Sequence, residues 1–187
     1  MASVVDICNI GLHRLGLDDI ASLTDGTQKA RLFAASYNQQ RQEMLVETVW
    51  TFARKRVVLA PSINPIAFNS DFQFSFTLPA DYLRMVNTQQ EELDYLIEGN
   101  QLLFTQNSIG IRYISDITDP NLMSAMFRKA LGLRLANENC VPLTGNLSLQ
   151  QAIKQEYLHA VAIGSTVDAQ SNGEGVPPDD SWILARN

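Results

Sequence analysis

Cysteine and histidine are scarce in this sequence of 187 residues. It contains two cysteines, Cys8 and Cys140, and two histidines, His13 and His159. Two cysteines are too few for the disulfide framework of a small secreted domain, and two histidines do not make a convincing zinc site. A chain of this length buries enough surface to hold a core without either. We therefore predict that both cysteines are buried thiols and that no metal or cofactor is bound.

Basic residues are also in the minority. Lys and Arg number 14 against 20 Asp and Glu, so the formal net charge is −6. Proteins that hold nucleic acid over a broad surface cluster Lys and Arg on it, and this composition argues against that class. Apolar residues make up 45% of the chain, which is typical of a globular protein and not of a disordered one.

Long apolar runs are missing as well. No stretch reaches the ~18 consecutive apolar residues of a membrane-spanning helix. The first residues lack the basic region and apolar stretch of a secretory signal. We therefore expect a chain that has no membrane partner and is made in a reducing cytosol.

The motifs of common catalytic sites do not occur. Gly164-Ser165 lacks the second glycine of a nucleophile elbow, and the glycines are too scattered for a phosphate-binding loop. The densest carboxylate cluster, Glu91 and Glu92 with Asp94, lies in a polar stretch and most simply forms a solvated loop. Two carboxylates suffice for glycoside hydrolysis, so a glycan hydrolase that uses these residues remains an alternative. The main prediction is a protein that is not an enzyme.

Apolar periodicity predicts two helices near each end of the chain. Apolar residues recur there at intervals of three and four. The segments are residues 4–15, 27–49, 121–140 and 148–170. Asp119 and Pro120 are expected to cap and open the third helix, and Ser148 is expected to cap the fourth.

The middle of the chain changes to a period of two. From Phe72 to Leu78 apolar residues alternate strictly with polar ones, which is typical of a half-buried antiparallel strand. Gly99-Asn100 joins two short apolar runs and is typical of a two-residue hairpin turn. The pattern over residues 52–117 therefore predicts an antiparallel β-unit of about five strands.

These elements predict one domain of the α+β class, spanning residues 1–187. Residues 1–50 and 119–170 are expected to form an antiparallel four-helix bundle, because apolar helix stripes must be buried against a partner. Residues 52–117 form a β-insertion between the second and third helices. Residues 171–187 form an extended C-terminal tail.

One basic triplet and one further arginine are candidate contact sites. The triplet Arg54, Lys55 and Arg56 most simply forms a solvated rim; the alternative is contact with DNA or with an acidic partner. Arg41 lies close to the apolar stripe of the second helix. It most simply lays its stem on the core and keeps its charge in water, and the alternative is a subunit contact.

The end of the chain is apolar after a linker that contains proline and glycine. Trp182, Ile183 and Leu184 lie in this end, followed by Arg186. Such a segment either packs on its own domain or docks into a partner, for which tryptophan is a favoured anchor. The residues alone leave both alternatives open.

Several stretches occur together in an order that points to one family. They are Ile7-Cys-Asn-Ile-Gly-Leu-His-Arg-Leu-Gly16, Ala30-Arg31 with Tyr37, Arg41 and Leu45, Trp50-Thr-Phe-Ala53, Phe76-x-Leu-Pro-x-Asp-Tyr-Leu-Arg84, Glu98-Gly99, Tyr113-Ile114 and Asp180-Ser-Trp182-x-x-Ala-Arg186. In this order and spacing the chain resembles the tail tubular protein A family, the head-to-tail adaptor of short-tailed bacteriophages. The resemblance spans nearly the whole sequence.

The resemblance implies a structural virion protein at the head–tail interface, assembled in the host cytoplasm. Such proteins form a ring, commonly a dodecamer, that joins the portal protein to the tail nozzle or tube. Double-stranded DNA passes through the ring without specific binding, and an acidic chain suits this because it repels phosphates. Trp182, Ile183, Leu184, Arg186 and Arg41 then become candidates for the portal or subunit interface. A DNA-packaging stopper or DNA-binding connector that uses Arg54, Lys55 and Arg56 is the alternative.

Overall fold

The computed structural model of the chain describes residues 1–62, 71–90 and 93–171. Its helices are α1 (Val4–Arg14), α2 (Gln28–Glu47), α3 (Ala125–Thr144) and α4 (Leu147–Ser171). Its strands are β1 (Arg54–Leu59), β2 (Phe74–Thr77), β3 (Tyr82–Thr88), β4 (Leu96–Glu98), β5 (Gln101–Phe104) and β6 (Ile109–Ser115). Two 3₁₀ turns, Thr51–Ala53 and Pro120–Leu122, precede β1 and α3. The α+β class is therefore confirmed.

The chain divides into two compact units. Met1–Val4 and Ala34–Met123 form the first, called the sheet unit because it holds every strand that the structure describes. Val5–Phe33 and Ser124–Asn187 form the second, called the helix unit. The first turns of α2 belong to the helix unit, and the remainder of α2 belongs to the sheet unit.

The described strands form two antiparallel sheets of three strands each. The first sheet has the order β1-β6-β3 and the second has the order β2-β5-β4. β4 and β5 form the predicted hairpin, with Glu98 opposite Gln101 and a positive φ of 60° at Gly99. Glycine adopts this left-handed conformation without a steric penalty, so the Gly-Asn turn is confirmed.

One hydrophobic cluster draws side chains from both sheets. The first sheet contributes Leu59, Ile109, Ile111 and Tyr113, and the second contributes Phe76, Leu102 and Phe104. The predicted alternation holds for Phe76, which is buried, and Thr77, which is exposed, but it is wrong for Ser75, which is buried although it lies on the predicted polar side. One face of each sheet is thereby removed from water, and the opposite face is covered in part, because Ile114 and Leu103 are buried there.

The predicted antiparallel four-helix bundle with one inserted β-unit is wrong. The structure has four helices with two separate three-stranded sheets. From Ala34 onward α2 belongs to the sheet unit, where Tyr37, Met44 and Leu45 are buried. The period of an apolar stripe shows that a helix has a covered face but not whether a helix or a sheet covers it. The error follows from that limit.

The helix unit contains α1, α3 and α4. Ser124 caps α3 by accepting a hydrogen bond from the Phe127 N–H at 3.1 Å, so this helix begins later than the predicted Asp119-Pro120 start. Asn146, and not the predicted Ser148, caps α4 by accepting from the Leu149 N–H at 3.0 Å. A capping residue directly precedes the first helical turn. Ser124 holds this position before α3, and Asn146 holds it before α4.

α1 and α3 approach each other most closely at two glycines. A Cβ atom added to Gly132 would lie 2.8 Å from Ile10 Cγ2 and 3.0 Å from the Ile7 carbonyl oxygen. A Cβ atom added to Gly11 would lie 2.7 Å from the Gly132 carbonyl oxygen. Neither position has room for a methyl group, so this crossing depends on the absence of two side chains.

Gly132→Ala is expected to lower the free energy of unfolding by about 1–3 kcal/mol through overpacking, even though alanine favours a helix by ~1 kcal/mol. Urea denaturation followed by circular dichroism measures the change. Gly26→Ala is the matched control, since nothing lies within 4 Å of its added Cβ atom. Equal stability of Gly132→Ala and the wild type would show that the crossing relaxes freely.

Both cysteines are free and buried, as the sequence predicts. Burial raises the pKa of the Cys8 thiol to about 12, so this group stays protonated at neutral pH.

Among the described residues, no helix combines the length and the apolar composition needed to cross a bilayer.

Candidate functional site

The face of the first sheet that points away from the hydrophobic cluster carries arginines on all three strands. Arg54 and Arg56 alternate along β1, and Arg56 is directly opposite Arg112 on β6. On β3, Arg84 is opposite Ile114, and Asn87 is opposite Arg112. Residues that face each other across antiparallel strands project to the same side. Arg54, Arg56, Arg84 and Arg112 therefore share one side of the sheet, called the arginine face.

Strand alternation separates the predicted basic triplet. Arg54 and Arg56 belong to the arginine face, whereas Lys55 pairs with Tyr113, a member of the hydrophobic cluster. Lys55 Nζ lies 2.6 Å from Asp81 Oδ2, and the Tyr113 hydroxyl donates to Asp81 Oδ1 at 3.0 Å. The triplet therefore divides into two arginines on one face and one lysine held by a carboxylate on the other.

The pKa values of Asp81 and Tyr113 are both shifted in the cluster that these two residues form with Lys55. The hydrogen bond from Lys55 lowers the pKa of the Asp81 carboxyl, against the opposing effect of partial burial. Burial, together with the bond to Asp81, raises the pKa of Tyr113 to about 12. Asp81 is therefore ionised and Tyr113 is neutral near pH 7, which makes the cluster an ion pair with a hydroxyl donor.

Arg84 and Arg112 were not predicted as site residues. They lie far from the triplet in sequence, and only the strand register places them on its face. The alternation of Ile109, Ile111 and Tyr113 with Arg112 marks that arginine as pointing away from the core. That pattern was readable in the sequence, but the pairing of β1 with β6 was not.

A groove of about 540 Å³ opens on the arginine face. Its polar lining includes Arg56, Arg112, Asn87 and Gln89. Gly110, on the central strand, has no side chain, and Gln89 lies over it with Cβ 3.1 Å from the position that a Gly110 Cβ would take. The Gln89 side chain thus fills the space over Gly110, and the groove lies beside a directly opposed pair of arginines.

The arginines that line or border the groove have few partners of their own. Arg56, Arg84 and Arg112 form no ion pair with any residue that the structure describes. The Nε atoms of Arg84 and Arg112 are shielded from solvent and have no hydrogen-bond partner within the described ranges. The groove therefore presents positive charge that no described carboxylate neutralises, and it can receive an anionic group.

Arg41 lies inside the sheet unit. Its side chain is 2% exposed, and its Nη1 donates to Asp116 Oδ1 and to the Ile117 carbonyl oxygen, the latter at 2.7 Å. Gln42 Nε2 donates to the other Asp116 oxygen at 2.8 Å. The guanidinium is therefore buried and paired, and it does not extend into water as the simpler sequence interpretation expected. Its assignment to a subunit interface stays a prediction.

The second half of α4 exposes apolar side chains. Ile163 is 42% exposed and Val167 is 44% exposed, and Leu158 is also exposed. Earlier along the same predicted stripe, Ile153 is buried. Arg134 Nη1 donates to the Tyr157 hydroxyl at 2.8 Å, which holds α4 on α3 near the middle of the helix. The apolar stripe of α4 therefore continues beyond the part of it that the described residues cover.

Other predicted site residues lie outside the described residues. Trp182, Ile183, Leu184 and Arg186 fall after residue 171, and Glu91 and Glu92 fall between residues 90 and 93. Asp94, the third carboxylate of that cluster, is described and exposed. Within the described ranges, no group of three His, Cys, Asp or Glu side chains is placed to hold a metal ion.

No family model matches the chain, and no curated protein matches it. The resemblance to the tail tubular protein A family therefore remains a prediction from its sequence stretches.

Proposed function

We propose that this protein is a structural head-to-tail adaptor of a short-tailed bacteriophage. Its copies form a ring, in this proposal a dodecamer, that joins the portal protein to the tail nozzle or tube and lets double-stranded DNA pass. The sequence resemblance supports this role. The structural observation that carries it is the apolar stripe of α4 that remains exposed at Ile163 and Val167.

An exposed apolar stripe suits a protein that assembles. Each buried large apolar side chain contributes about 1.5–3 kcal/mol relative to an exposed one, so covering Ile163 and Val167 favours association. A closed ring needs two different surfaces on each copy, one meeting the other on the next copy. In the proposed ring, the exposed part of α4 is one of these two surfaces.

The charge of the chain agrees with a channel for DNA. The formal net charge of −6 opposes tight binding of phosphates, and DNA can then slide through the ring. The adaptor proposal places no catalytic residue in the chain, and it locates the protein in the virion at the head–tail interface.

Native mass analysis of the full chain mixed with the portal ring encoded in the same genome tests this function. A discrete mass gain that corresponds to a full ring of chains on one portal supports the adaptor role and gives the copy number. No gain between two folded proteins counts against portal docking.

Ile163→Lys combined with Val167→Lys is expected to reduce ring formation by about tenfold or more, because two charged side chains would have to be desolvated at the contact. The monomer should keep its stability, since both positions are already exposed. The same native mass experiment measures the effect. Gln151→Lys with Gln155→Lys is the control, because these α4 residues are exposed and polar. Equal loss in both double variants would place the ring contact elsewhere.

The arginine face favours a second candidate function, a DNA-binding connector. Arg54, Arg56, Arg84 and Arg112 place four positive charges on one side of a small sheet. Such a role requires duplex affinity that falls steeply as salt rises, because each phosphate contact releases bound counterions. A binding curve with little salt dependence would eliminate it.

A further inference from the structure

We propose that the groove on the arginine face is a docking site for an acidic peptide segment of a partner protein. One carboxylate of the segment lies between Arg56 and Arg112, and an apolar side chain two residues away packs against Val58. The proposal rests on the sheet unit alone, so it does not depend on the adaptor role.

The first argument is the pairing of two like charges. Arg56 and Arg112 are directly opposite each other on neighbouring antiparallel strands. Like charges in this position destabilise a sheet, and neither arginine has an ion-pair partner among the described residues. An anion placed between them converts the repulsion into two charge-assisted interactions.

The second argument is the supply of hydrogen-bond donors around that position. Asn87 is opposite Arg112 on the third strand, so an amide extends the row that Arg56 and Arg112 begin. A carboxylate has about four acceptor sites, and two guanidinium forks with one amide can fill them. The row supplies donors from all three strands of the first sheet.

The third argument is the apolar position beside this row. Val58 is 67% exposed and is directly opposite Gly110, over which the Gln89 side chain lies, so Val58 is the exposed apolar side chain of this pair. This pair lies two residues along the strands from Arg56 and Arg112, a distance of roughly 6.6 Å. An extended peptide repeats its same-side side chains at that interval, so an acidic residue followed two positions later by an apolar one fits both rows.

A peptide fits these features better than duplex DNA does. The net charge of −6 repels every anion at long range, but it repels a duplex with many phosphates more strongly than a segment with one carboxylate. A groove of about 540 Å³ has the volume of a site for a few side chains. The neighbouring apolar position also has no counterpart on a phosphate backbone.

Fluorescence anisotropy of the full chain tests the proposal with defined probes. The first is a labelled peptide with the core Asp-Ser-Leu in a Gly-Ser context, and its controls replace Asp by Asn or Leu by Ser. The second probe is a labelled DNA duplex. The protein variants are Arg56→Gln and Arg112→Gln, with Arg31→Gln as the matched loss of an exposed arginine in the helix unit. Circular dichroism confirms that each variant is folded, and exposed Arg56 provides a test if Arg112→Gln is unstable.

The proposal expects the Asp-Ser-Leu peptide to bind and each groove variant to weaken this binding by about tenfold or more. Arg31→Gln should leave the affinity unchanged, and both control peptides should bind more weakly. The proposal is overturned if the peptide affinity is unchanged when Asp is replaced by Asn. It is also overturned if the affinity is unchanged in both Arg56→Gln and Arg112→Gln. Duplex binding that depends on Arg56 and Arg112, without peptide binding, assigns the groove to DNA instead. Absence of binding by every probe also overturns it.

Discussion

Asp116→Ala is expected to lower the free energy of unfolding by about 3 kcal/mol, whereas Arg41→Met should lower it by about 1 kcal/mol. The two partners differ in exposure, since the side chain of Arg41 is 2% exposed and that of Asp116 is 22% exposed. Removing the carboxylate leaves a buried guanidinium whose one remaining acceptor among the described residues is the Ile117 carbonyl. Removing the guanidinium leaves a carboxylate that reaches water and keeps its bond from Gln42.

Urea denaturation of the two single variants measures this asymmetry. Asp94→Ala is the control, because Asp94 is an exposed carboxylate of the same unit. Equal losses for Asp116→Ala and Arg41→Met would contradict the explanation, since it assigns the larger loss to the stranded buried charge.

The pH dependence of stability provides a second measurement on the same pair. Partial burial tends to raise the pKa of the Asp116 carboxyl, but the bonds from Arg41 and Gln42 prevail and the pKa lies below its usual range. A lowered pKa in the folded state means that this carboxylate stabilises the fold above the ordinary pKa of Asp. The contribution is lost as the pH falls through the lower folded value. Asp116→Ala should therefore lose less stability on acidification than the wild type does.

Trp50→Ala is expected to cost about 3–5 kcal/mol, the range for truncating a fully buried large aromatic side chain. Trp50 has no exposed surface, and its indole N–H donates to the Met44 carbonyl oxygen at 3.2 Å. This carbonyl belongs to the last turn of α2, where acceptors have no partner within the helix. The side chain thus fills a core position and also caps the helix end.

Two further variants separate these contributions. Trp50→Phe keeps an aromatic ring and loses the indole hydrogen bond, so it should cost about 1–2 kcal/mol. Phe52→Ala is the neighbouring control, because Phe52 lies 6.2 Å from Trp50 between ring centroids but is only half-buried. Thermal and urea unfolding measure the stability of Trp50→Ala, Trp50→Phe and Phe52→Ala. A loss for Phe52→Ala as large as that for Trp50→Ala would show that burial does not set the difference.

Local elements of the fold were predictable because their causes are local. The Gly99-Asn100 turn and the alternation that buries Phe76 each arise from a few consecutive residues. The partner of α2 was not predictable in this way, since Met44 and Leu45 mark an apolar face without naming what covers it. The prediction of a four-helix bundle was wrong because it assigned the wrong partner to α2.

The candidate site shows the same limit. Arg54 and Arg56 drew attention because they are adjacent in sequence, while Arg84 and Arg112 join them only through strand pairing. Antiparallel pairing of distant strands depends on the whole sheet, and no short stretch encodes it. The predicted contacts of Trp182 lie outside the described residues and stay predictions.

The separation of Arg54, Lys55 and Arg56 across the first sheet has an evolutionary consequence. Lys55 is held by Asp81 on the cluster side, while Arg56 borders the groove without a described ion-pair partner. We therefore expect the two neighbouring positions to tolerate different substitutions. Replacing Lys55 loses a half-exposed ion pair worth about 0–1 kcal/mol of stability, whereas replacing Arg56 changes the charge of the proposed groove at little cost to the fold.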